Sequence, residues 1–327
     1  MNVPMWVWLV TVGAATAFLL VDVFIIGRRP HEPTMRESAR HLAFFVGAAI
    51  LFGLGVWAFS GGQFAAEYFA GWLTEYSLSV DNLFIFLIIM SKFAVPRHLQ
   101  QSALLVGIIL ALVFRGIFIG VGAAAINNFS WIFYLFGAFL IWTAVKLARE
   151  GQSEEEEFEE NALIRWARGH LPATDRYHGT SLTVRESGRR VMTPMLMVLI
   201  ALGTTDLLFA LDSIPAIYGL TKEPYLVLMA NIFALMGLRQ LYFLIGGLLQ
   251  RLVYLSLGLA FLLFFIGVKL VLHALHENEL PFINGGEHVS WAPDIPIWLS
   301  LLVIVGTLAV TAVASLAKTR RDERATV

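Results

Sequence analysis

Nine stretches of about 20 or more mostly apolar residues constrain this chain more than any other feature. They fall at 4–26, 42–60, 65–91, 101–124, 129–148, 193–219, 225–248, 252–275 and 295–317. A helix rises about 1.5 Å per residue, so such a run crosses the roughly 30 Å hydrocarbon core of a bilayer. Lipid offers no partner to open backbone groups, and runs of this length do not fit the short alternating strands of a barrel. The expectation is an all-α polytopic membrane protein, one transmembrane domain over 1–327. The composition agrees: 58% of the residues are hydrophobic and 14% charged, too few charges to clothe a soluble surface. The first run lacks a basic leader and ends in Gly27-Arg28-Arg29, so it reads as a span rather than a cleaved signal.

The basic residues are distributed very unevenly between the two sets of connections. One set, with the C-terminal tail, holds Arg28, Arg29, Arg36, Arg40, Lys92, Arg97, Arg251, Lys318, Arg320, Arg321 and Arg324. It also holds seven arginines of the long segment 149–192, whereas the other set holds only Lys222. By the positive-inside rule this predicts an external N-terminus and a cytoplasmic C-terminus. The cytoplasmic loop 149–192 carries an acidic run, Glu154 to Glu160 interrupted by Phe158, and is expected to be solvated, with protein partners a further role. The external loop 276–294 and the helix end before it collect His273, His276, Glu277, Glu279, Glu287 and His288, a polar set able to attract cations. A net charge of −1 speaks against a nucleic-acid partner, and the lack of cysteine removes disulfides, thiolate metal sites and cysteine nucleophiles.

Two parts of the chain share one order of charges. Span 3 carries Glu75 and, six residues on, Asp81-Asn82; span 6 carries Asp206 and, six residues on, Asp212-Ser213. In each part the next span holds one arginine, Arg115 or Arg239, and the third a lysine, Lys146 or Lys269. This suggests repeat one at 65–148 and repeat two at 193–275. Three spans are an odd number, so the second copy enters the membrane from the opposite side: an inverted repeat, with its site near the midplane.

Ionisable groups inside a span cost about 2.5–3.5 kcal/mol each on insertion scales and need a compensating role. Asp22, Lys146 and Lys269 lie near span ends, where reaching to the interface explains them. For Asp81 and Asp212 two roles are open: ion pairs with Arg115 and Arg239 that join the halves, or a cation site. The oxygen donors Asp81, Asn82, Asp206, Asp212 and Ser213, with Glu75 and Thr205 beside them, suit hard divalent ions (Mg²⁺, Ca²⁺ or Mn²⁺). Six residues turn a regular helix through about 240°, so the two acids of each pair cannot share a face. Either one acid of each pair stands behind the other, or the helices break, for which Gly203-Thr204-Thr205 and Pro215 offer a place in span 6. Asp81 and Asp212 are the expected direct ligands.

Three stretches carry a family resemblance: Glu75 to Phe84 (EYSLSVDNLF), Phe209 to Ile217 (FALDSIPAI) and Asn231 to Arg239 (NIFALMGLR). In these the chain resembles the TerC/Alx family of integral membrane proteins, named for an association with tellurium resistance. The resemblance implies a bacterial inner-membrane protein of manganese homeostasis, by export, some of whose relatives supply metal to secreted enzymes. Many relatives carry Glu where this chain has Gly203, one carboxylate fewer here. The expectation is a divalent-metal transporter with Mn²⁺ or Ca²⁺ as substrate, no permanently bound cofactor and no enzymatic activity. The alternative is a membrane scaffold that hands on metal or stress signals through the 149–192 loop without autonomous transport. An intramembrane protease, the precedent for paired aspartates, needs one dyad rather than two inverted motifs, and no HExxH is present.

Overall fold

A computed structural model describes residues 1, 3–28, 34–129, 131–150, 174, 176–186, 189–245, 254–278, 280–281, 283–289 and 291–325. Within these, the side chains of 19–20, 22–28, 81, 84, 150, 186, 189, 245, 320 and 322–325 lie outside the described set, those of Asp22 and Asp81 among them. The described residues are helical apart from one hairpin, one short 3-10 turn at Asn284–Gly286 and the connections. Its helices are α1 (Met5–Arg28), α2 (Met35–Ser60), α3 (Gly62–Lys92), α4 (Arg97–Asn128), α5 (Ile132–Glu150), α6 (Pro194–Tyr218), α7 (Pro224–Ile245), α8 (Leu255–His276) and α9 (Ile297–Ala325). Eight of them, α2 to α9, are long and apolar enough to cross a membrane; in α1 the described apolar stretch, Met5–Phe18, is shorter.

Local chemistry sets the boundaries. The Thr34 hydroxyl caps α2 by accepting from the Glu37 N–H at 3.2 Å, the threonine half of a capping box. Gly61 alone separates α2 from α3 at φ 97°, a conformation a side chain rarely tolerates. Pro96, Pro194 and Pro224 stand at the starts of α4, α6 and α7, where a missing N–H breaks no helical bond.

The triplets α3–α5 and α6–α8 pack on each other reciprocally. α3 lies on α7 as α4 lies on α6, and like touches like in α3 with α6, α4 with α7 and α5 with α8. The α5–α8 crossing is the most intimate. A Cβ built on Gly137 would stand 2.8 Å from the Gly267 carbonyl oxygen, and one on Gly267 would stand 3.0 Å from that of Gly137. Gly137 faces Val271 while Gly267 faces Ile141, so the two helices run antiparallel. Small residues that let backbones touch are the usual device for helix association in lipid. α2 flanks this pair of triplets on α3 and α7, and α9 on α3 and α8.

Three expectations change. Segment 149–192 is not wholly loop: α5 runs to Glu150, and Thr183–Glu186 pairs antiparallel with Arg189–Met192, Val184 opposite Val191. Its acidic run lies outside the described residues. Lys269 does not simply reach for the interface, because its ammonium is half-buried and donates to Ser300 of α9 at 3.1 Å. Finally, α3 and α6 are unbroken through both acidic motifs, with Pro215 inside α6. Proline has no N–H, so the Leu211 carbonyl one turn earlier lacks its helical donor, which softens α6 beside Asp212 without interrupting it.

Candidate functional site

Arg115 of α4 is 1% exposed and heads the fully buried side chains by volume. A guanidinium has five N–H donors and cannot shed its charge, so burial obliges the fold to surround it with acceptors. Four helices do so. Nη1 is paired with Glu75 Oε1 of α3 and donates to Ser213 Oγ of α6 and Asn231 Oδ1 of α7, each at 3.1 Å. Nε and Nη2 grip Asp206 of α6 in a fork, at 3.2 Å to Oδ2 and 3.1 Å to Oδ1. Ser79 donates to Glu75 Oε1 at 3.2 Å, and Asn231 is fixed by its own donation to the Val227 carbonyl at 2.9 Å. The second oxygen of Glu75, Oε2, is buried and meets no hydrogen-bond donor among the described residues.

Helical periodicity explains why these residues meet. Glu75, Ser79 and Asn82 stand at i, i+4 and i+7 on α3; Asp206 and Ser213 stand at i and i+7 on α6, with Ala210 between them. Each motif thus turns inward its first acid and the small polar residue after its second acid. Both helices reach the centre well away from their ends; Asp206 lies about 18 Å along α6 from either end at 1.5 Å per residue.

Of the expected site residues, Glu75, Asp206, Ser213 and Arg115 come together directly. Asn82 and Thr205 are buried, Asn82 on the face of Glu75 and Thr205 next to Asp206. Asp212 is half-buried and acts electrostatically on Arg115 and Glu75, with no ion pair to Arg115 among the described residues. Asp81 lies in α3 with its side chain outside the described set. Of the two roles open for Asp212, a direct ion pair with Arg115 is not seen among the described residues; the described ionic partners of Arg115 are Glu75 and Asp206. Arg239 is buried on α7, where the Gln240 amide, turned to satisfy both groups, accepts from Nη2 at 2.9 Å. Ser79 and Asn231 escaped the sequence reading. Ser79 was signalled by its i+4 spacing from Glu75, and Asn231 by being a carboxamide amid the apolar residues of 225–238.

A second ionic group sits at the helix ends. Lys222, in the α6–α7 turn, donates to Glu277 Oε1 and Oε2 at 3.0 and 2.9 Å, and His273 Nε2 lies 3.3 Å from Oε2. Partial burial works against the charge of Glu277, but the Lys222 hydrogen bonds and the neighbouring His273 outweigh it and hold the carboxyl below its usual range. Close by in sequence, Glu67 accepts from the Thr221 hydroxyl at 2.6 Å and Glu223 pairs with the Met1 amino group.

Residues 60–323 match the family described as Integral membrane protein TerC family. The chain belongs to that family. An uncharacterized membrane protein of Mycobacterium tuberculosis is 51% identical to this TerC-family chain over 312 residues, 94% of the chain and 78% of the relative. One from Myxococcus xanthus is 37% identical over 313 residues, covering 96% and 92%. A protein of Escherichia coli K12, named a candidate membrane-bound redox modulator, Alx, is 37% identical over 302 residues, covering 90% and 88%. No solved structure matches this chain.

Proposed function

We propose that this TerC-family membrane protein transports divalent metal ions, Mn²⁺ before Ca²⁺ or Mg²⁺, through the centre formed by Glu75, Asp206, Asp212, Asn82, Ser213 and Asn231. One observation carries the reading: two carboxylates, Glu75 and Asp206, share a single buried guanidinium, Asp212 stands six residues on from Asp206, and Glu75 Oε2 has no donor among the described residues. With all three acids ionised, three negative charges against one positive leave two, the charge of one divalent cation. A merely structural ion pair needs no such surplus, which is costly in a low dielectric unless a cation offsets it. Oxygen donors without a thiolate favour hard ions. Asp81 belongs to the same proposal as the remaining acid of the first motif.

The two triplets are read as an inverted repeat whose rocking exposes the centre to each side in turn, an idea supported by their reciprocal packing and the antiparallel α5–α8 contact. The basic connections face the cytoplasm of a bacterial inner membrane, and transport runs outward. A chain without cysteine has no thiol chemistry of its own, so a redox effect like that in the name of the Escherichia coli relative would follow from metal supply. Tellurite is an anion that an acid-lined centre repels, so a link to tellurium resistance is indirect. The protein acts as a carrier, not an enzyme.

The test is uptake and efflux of Mn²⁺, Ca²⁺ and Mg²⁺ in proteoliposomes, with Asp212→Ala alongside the wild type. Flux that the substitution abolishes supports the carrier and names its ion. An absence of flux for all three ions would favour the scaffold, whose phenotype should vanish when the 149–192 loop is deleted.

A further inference from the structure

We infer that Arg115 is a displaceable internal cation: it occupies the carboxylates of the transport centre when no metal is bound and must give at least one of them up when metal enters. The inference rests on the carrier reading of the same centre and adds a device that reading does not require.

The geometry separates this role from that of a permanent tie. Every described hydrogen bond of Arg115 goes to a side chain that is itself a candidate ligand: Glu75, Asp206, Ser213 or Asn231. Among the described contacts of Arg115 none is to a backbone carbonyl. A cation ligated by Glu75 and Asp206 would therefore compete with the guanidinium for the same oxygens. The partnerless Glu75 Oε2 is the oxygen a cation meets without any bond being broken first. From there, each further carboxylate oxygen is gained by displacing an N–H.

Arg115 reaches from α4 to α3, α6 and α7, so its bonds span both triplets. While they hold, the triplets are pinned together; when a divalent ion replaces them, the pin is removed and the packing is free to change. Binding and conformational release thus draw on one set of carboxylates, which is how a ligand biases a two-state element. A monovalent ion offers no more charge than the guanidinium already supplies and gains little by displacing it. The latch thereby selects for charge two.

The test measures Mn²⁺ affinity on purified protein and Mn²⁺ turnover in proteoliposomes for the wild type, Arg115→Met and Arg115→Lys. Removing the competitor should tighten Mn²⁺ binding about tenfold or more, the equivalent of a charge-assisted hydrogen bond. Turnover should fall, because the metal is then released into an uncompensated acid cluster. Lysine keeps the charge but cannot form the fork with Asp206, so it should tighten binding less than methionine does; it also serves if the methionine variant does not fold. Wild-type flux with unchanged or weaker affinity in the folded variants overturns the latch and leaves the carrier standing. A wild type that neither binds nor moves the ion overturns both.

Discussion

The Arg115 centre and the Lys222–Glu277 pair use the same chemistry in two environments. Both set a cationic side chain against carboxylates at ordinary hydrogen-bond distances. At the helix ends, Lys222 and Glu277 are 46% and 42% exposed, one base is matched by one acid, and water screens what remains. At the centre, Arg115 and Glu75 are 1% and 0% exposed, and two acids, Glu75 and Asp206, share one base. The end pair trims a surface; the buried centre stores an unsatisfied demand for positive charge.

The sharpest way to break this comparison is to remove an acid from the buried centre. Asp206→Ala leaves a guanidinium that has lost its fork, and should cost about 3–5 kcal/mol of stability in a detergent melt together with loss of metal flux. If the variant melts like the wild type, the centre is not the buried pair described. Next comes the scaffold around it. Gly267→Leu drives a side chain into the Gly137 backbone and should cost about 1–3 kcal/mol by prising α5 from α8, read in the same melt.

Asp212→Asn sharpens the contrast within the centre. Its half-buried carboxylate makes no ion pair with Arg115 among the described residues, so the melting temperature should barely move while Mn²⁺ flux falls at least about tenfold, one charge of attraction being lost. The smallest effect belongs to the helix ends. Lys222→Gln should cost about 0.5 kcal/mol or less after screening. The depressed carboxyl of Glu277 contributes stability above the ordinary glutamate range, near pH 4.3, and loses it as pH falls through its lower folded value. In the Lys222→Gln variant that acid-side loss should shrink, which a melt series from pH 6 down to pH 3 would record.

Much of the fold was legible because lipid leaves few choices. Runs at 65–91 and 193–219 became Gly62–Lys92 and Pro194–Tyr218 within a few residues. The hairpin at 183–192 was not, since short polar strands leave no apolar period to read. The centre was legible in membership more than in roles. That Glu75 and Asp81 face apart follows from the helical period alone. Which of the two faces inward depends on how α3 is rotated against α7 and α4, and no local pattern encodes that. Arg115 illustrates the same limit. Its need of acids was plain from its place in an apolar run, but its partners lie 40 and 91 residues away and are chosen by packing.

The central claim, that buried carboxylates hold a divalent cation, is tested most directly by titrating purified protein into Mn²⁺ and following the free-ion resonance by electron paramagnetic resonance. The account predicts that the wild type removes about one Mn²⁺ per chain from solution, that excess Na⁺ does not release it, and that Glu75→Gln combined with Asp206→Asn leaves the ion free. A free-ion signal unchanged by the folded wild-type protein, or equal loss of signal with the double variant, would contradict it.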